Sequence, residues 1–100
     1  MIKFNKKKNA REEDIQYLKE NYKFAQKDLR DICYAPEKFS IVNVLIKLKN
    51  ISMVLTRSYI VTGNKSDLEL SRKCHEVIQK INFMPEQYDT IVRDLQVVPF

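Results

Sequence analysis

One hundred residues with 44% hydrophobic content make one domain, able to bury a modest core without a metal or disulfide staple. A single Gly and three Pro argue against sheets joined by tight turns and favour helices joined by short loops, so the expected fold class is all-α. The formal charge of +5 is uneven: Lys3, Lys6, Lys7, Lys8 and Arg11 precede the first acidic residue, and the remaining basic residues equal the 13 acidic ones in number.

The chain divides into a basic flexible tail, residues 1–9, and one helical-bundle domain, residues 10–100. A basic tail that also carries Ile2 and Phe4 suits weak contact with an anionic membrane surface or nucleic acid. A frayed, solvated terminus explains the same residues. MIKFNKKKNA has no apolar stretch of signal-peptide length, which suggests a cytoplasmic chain with reduced thiols. Cys33 and Cys74 then read as small buried hydrophobes. The most apolar region, Phe39 to Val61, is interrupted by Lys47, Lys49 and Arg57 and is too broken to span a bilayer.

Asn9 and Glu12 have capping-box spacing, and Glu12, Glu13 and Asp14 suit the positive end of a helix dipole. Ile15, Leu18, Tyr22, Ala25, Leu29 and Ile32 follow at alternating steps of three and four, one face of a first helix. It must stop before Pro36, which disfavours helical geometry at Ala35. Pro36 suits the first position of a second helix. That helix is apolar over more than half its circumference from Phe39 to Ile60, with Ile41, Leu45, Leu48, Ser52, Leu55 and Tyr59 at helical spacing, and so belongs at the centre of a bundle. Running unbroken over 36–62 it would be about 40 Å long, with Lys49-Asn50 the natural place for a break.

The stretch SYIVTGNKSDLE, residues 58–69, contains Asn64, Lys65 and Asp67 at the spacing that holds guanine in small GTPases. Helix punctuation accounts for the same residues. Gly63 can take the left-handed geometry of a C-terminal cap, and Ser66 to Glu69 has capping-box form. A chain with one glycine also cannot build a phosphate-cradling loop. The third helix then runs from Asp67 to about Asn82, with Leu70, Cys74, Val77 and Ile81 inward. Pro85 opens a short fourth helix with Tyr88, Ile91, Val92 and Leu95 inward, followed by an apolar tail of Val97, Val98 and Phe100. These elements pack most simply as an antiparallel four-helix bundle.

Catalytic chemistry has little to work with. His75 is the only histidine, and it projects about 100° away from Cys74, so the two are no dyad. Two Cys and one His show no paired zinc spacing, and no cofactor is implied. The third helix mixes Arg72, Lys73 and Lys80 with Glu69 and Glu76, which suits nucleic-acid readout poorly. Arg57 reads either as a partner contact at the rim of an apolar groove or as a side chain satisfied by a neighbouring helix. Tyr88 and the terminal Val-Val-Pro-Phe pose the same choice between packing and recognition.

The stretch PEKFSIVNVLIKLKNISMVLTRSYIVTGNKSDLELSRKCHEVIQKI, residues 36–81, resembles the immunity proteins of pediocin-like bacteriocins. Leu48, Ile51, Leu55 and Tyr59 match that family's long helix with a tyrosine near its end. Gly63 to Lys65 match its loop, and Leu68 to Ile81 its closing helix. The front of the chain departs from the pattern, with a longer first helix and no separate short second one. The resemblance implies a cytoplasmic, non-catalytic protein of a Gram-positive bacterium that protects the producer. It would act at the inner membrane face by engaging the bacteriocin's receptor complex, with specificity in the C-terminal half. On that reading Arg57, Tyr88, Val98 and Phe100 are the partner contacts. Lys3, Lys6, Lys7 and Lys8 are a weak membrane tether, worth about 1 kcal/mol each at an anionic leaflet. The other class left open is a small helical regulator that binds nucleic acid or another protein.

Overall fold

A computed structural model describes residues 11–93 and Leu95. The tail lysines, Asn9, Val98 and Phe100 lie outside them. Four α-helices follow one another: α1 Glu12–Tyr34, α2 Ile41–Thr62, α3 Lys65–Phe83 and the short α4 Tyr88–Arg93. Single 3₁₀ turns at Pro36–Lys38 and Pro85–Gln87 join α1 to α2 and α3 to α4, Gly63 and Asn64 join α2 to α3, and no strand occurs among the described residues. The fold is an all-α bundle.

The helix boundaries correct three sequence expectations. The N-cap of α1 is Arg11, two residues beyond Asn9, and makes no side-chain capping bond. Pro36 opens a 3₁₀ turn, and α2 begins five residues later at Ile41. Ser40 supplies the reason, because its Oγ accepts the Asn43 N–H at 3.1 Å and caps the helix where Pro36 cannot. At the front of α3 the N-cap is Asn64 and not Ser66; its Oδ1 accepts the Ser66 N–H at 3.0 Å. Gly63 behaves as expected: at φ 74° and ψ 9° it ends α2 in left-handed geometry, its N–H donating to the Tyr59 carbonyl at 2.7 Å. No break occurs at Lys49-Asn50, and α2 runs unbroken for about 33 Å.

Helix α2 is central and has its main interfaces with α1 on one side and α3 on the other. Lys47 meets Asp28 and Arg57 meets Tyr17, so α1 and α2 are antiparallel. Ser52 meets Ser71 and Ser58 meets Asp67, so α2 and α3 are antiparallel as well. Leu18, Ile32, Val44, Leu48, Leu55, Cys74 and Ile81 are fully enclosed between them. Helix α4 packs on α1, α3 and the Pro36–Lys38 turn and closes one end with Tyr88, Ile91, Val92 and Leu95.

Candidate interaction surface

The side chains with chemical potential turn inward. Asp67 is only 8% exposed; it accepts hydrogen bonds from the Ser58 hydroxyl of α2 and from the Tyr22 hydroxyl of α1 at 3.4 Å. Burial, and then the Asp67 charge and hydrogen bond, push the Tyr22 hydroxyl up to about 12. Asn64 thus caps α3 and Asp67 lies inside the bundle, which gives two of the three guanine-motif residues structural roles.

A second polar cluster joins α2 to α3. The Ser52 Oγ lies 2.8 Å from the Ser71 Oγ and 2.7 Å from His75 Nε2, and the Thr56 Oγ1 lies 2.9 Å from the Ser71 Oγ. The Ser71 hydroxyl also donates to the Ser52 carbonyl at 3.1 Å. Ser52 and Ser71 are buried, so these hydroxyls satisfy one another across the helix interface. Cys33 and Cys74 are buried and form no disulfide. Burial raises the Cys33 thiol to about 11; burial and then the neighbouring Cys33 raise Cys74 to about 12. Among the described residues no group of three or more His, Cys, Asp or Glu could hold a metal ion, and no helix is long and apolar enough to cross a membrane.

The residues expected to meet a partner fall in different places. Arg57 is half-buried, its guanidinium 4.1 Å above the Tyr17 ring in the outer crevice between α1 and α2. Tyr88 is buried, and its hydroxyl donates to the Pro36 carbonyl at 2.7 Å, so it ties α4 to the α1–α2 connection.

Several surfaces that the sequence reading did not single out offer apolar groups to water, among them Tyr34 at the end of α1, exposed beside Ala35, Lys38 and Phe39. Phe83, the last residue of α3, is 85% exposed and borders a shallow depression with Glu76, Gln79, Lys80 and Met84. On α2, Val42, Ile46, Met53 and Ile60 project outward, each between 44% and 64% exposed. At 100° per residue they stay within about 40° of one another, a continuous stripe interrupted by the exposed Lys49. Phe24 of α1, also exposed, shares this side, because it lies between Tyr17 and Asp28 on the edge of α1 that meets α2. The repeat Ile46, Met53, Ile60 at steps of seven was the available signal, masked by the apolar residues all round α2.

These features define an all-α bundle with apolar side chains exposed on α1, α2 and the end of α3. The chain matches no family model, no curated protein and no solved structure.

Proposed function

We propose that this protein is a bacteriocin immunity protein, protecting its producer through a non-catalytic interaction at the cytoplasmic face of the membrane. The partner is the membrane-located receptor complex of a pediocin-like bacteriocin. The observation that carries the reading is Phe83, a large aromatic side chain held in water beside a shallow depression in the C-terminal half. That is the half to which the family resemblance assigns specificity. The inward placement of Asp67, Ser52, Ser71 and both thiols supports a binding role over catalysis. Apolar exposed faces also suit a protein partner better than a phosphate backbone. In this reading Phe83 joins Arg57, Val98 and Phe100 as a partner contact, with Lys3, Lys6, Lys7 and Lys8 as the tether.

A survival assay tests it. Expression in a bacteriocin-sensitive Gram-positive strain should protect against one or a few members of a panel of pediocin-like peptides. Truncation after Leu95, or Phe83→Ala in the full chain, should abolish that protection while the helical melting curve is retained. Uniform killing of cells that express the folded protein would refute the proposal.

A further inference from the structure

The outer face of α1 and α2 is self-complementary. The Asp28–Lys47 ion pair at 3.4 Å and the Arg57–Tyr17 contact fix the level of one antiparallel helix against the other. They place Phe24 beside Asn50 and Ile51, Glu20 beside Val54 and Leu55, and Lys27 beside Lys47 and Leu48. Ile51 is also the midpoint of the stripe from Val42 to Ile60. A two-fold axis perpendicular to the helices at that level therefore does several things together. It lays Val42 against Ile60 of a second copy and Lys49 against its Met53, and brings the two Phe24 rings face to face. It also sets the exposed Glu20 opposite the exposed Lys27 of the second copy, twice by symmetry.

We propose that this face is the interface of an antiparallel homodimer, with its two-fold axis crossing α1 between Lys23 and Phe24 and α2 at Ile51. Its size is adequate. The stripe is about 27 Å long, and two helices side by side at roughly 8–10 Å spacing make it about 20 Å wide. Each copy therefore contributes on the order of 500 Å², which places the dimer among small, reversible interfaces. The apolar centre drives association, and the Glu20–Lys27 pairs set its direction. Lys49 lays its aliphatic stem on Met53 of the second copy and keeps its ammonium in water at the edge. The dimer stands independently of the protective role, because sedimentation and survival are separate readouts.

Sedimentation equilibrium of the full chain over roughly 10–200 µM, the range such a small interface calls for, should give a dimer of twice 11.9 kDa. Met53→Asp should make the chain monomeric over the same range. Glu20→Lys and Lys27→Glu should each raise the dissociation constant about ten-fold, and the double variant should return it to near the parent value. All three sites are exposed, and thermal melts verify that each variant stays folded. A parent chain that is monomeric throughout, or a dimer that survives Met53→Asp, overturns the proposal. Loss of the dimer in Met53→Asp without rescue by the charge swap overturns the two-fold pairing. As an independent check, oxidation of Phe24→Cys should give a covalent dimer that reductant dissolves, and absence of that product also counts against the axis.

Discussion

Asp67 is a carboxylate in a place where little water reaches it, and two hydroxyls from different helices converge on it. Replacing it with Ala removes the carboxylate that accepts the Ser58 and Tyr22 hydrogen bonds in a half-dry junction, a loss of about 1–3 kcal/mol. For a domain of this size each kcal/mol lowers the melting temperature by about 4–8 °C. Asp67→Asn retains an acceptor oxygen and should lose less. The same substitution to Ala should bring the Tyr22 ionisation down from about 12, because Asp67 contributes its charge and its hydrogen bond to that shift. Thermal melts read the first effect and a spectrophotometric tyrosinate titration reads the second. An Asp67→Ala chain that melts with the parent would show that the junction contributes nothing. This role was not legible in the sequence. Asp67 reads equally well as a helix-start residue or a nucleotide ligand, and only the levels of α1 and α2 bring Tyr22 and Ser58 to it.

At the scale of the element, α2 shows what periodicity reveals and what it hides. The inward sets on α1, α3 and α4 could be read directly, because each of those helices has one apolar face and one polar face. Helix α2 is apolar nearly all round, and its sequence does not say which side its neighbours leave open. Packing decides: α1 and α3 flank it, enclosing Val44, Leu48 and Leu55 and leaving the Val42–Ile60 stripe in water. The start of α2 was misplaced for a related reason. Pro36 and Ser40 are both helix-start signals, and the side-chain cap at Ser40 prevails. The two sides of α2 should respond differently to truncation. Leu48→Ala removes fully enclosed volume and should cost about 2–5 kcal/mol. Ile46→Ala, two residues away on the exposed side, should cost well under 1 kcal/mol in dilute solution. Urea denaturation of the two variants at low concentration measures the difference, and equal losses would mean that the outer stripe is buried within one chain.

Among the described residues, burial favours the protonated form of four ionisable groups, Tyr22, Cys33, Cys74 and Tyr88, with Asp89 and Glu37 adding to the rise at Tyr88, and this sets the response to alkali. Tyr22, ordinarily at 10, rises to about 12, while Cys33 and Cys74, ordinarily at 9, rise to about 11 and about 12. Each group releases its proton more readily in the unfolded chain than in the folded one. The stability they contribute is therefore complete below pH 9 and declines as pH rises through the folded values near 11 and 12. The thiols act first, from pH 9 upward, and Tyr22 and Tyr88 add their share above pH 10. Urea midpoints should thus be flat from pH 7 to 9 and fall progressively from there to pH 11. Replacing both cysteines with Ala should lower the plateau, since small cavities form at two enclosed sites, yet flatten the descent between pH 9 and 10. A descent of unchanged slope in that variant would mean that the thiols do not govern alkaline unfolding. The burial that raises the thiols also keeps them from reagents, so alkylation of the parent chain at pH 8 should follow the unfolding equilibrium and accelerate in urea. Rapid alkylation in the absence of denaturant would instead require a local opening between α1 and α3, the helices that carry Cys33 and Cys74 into the core.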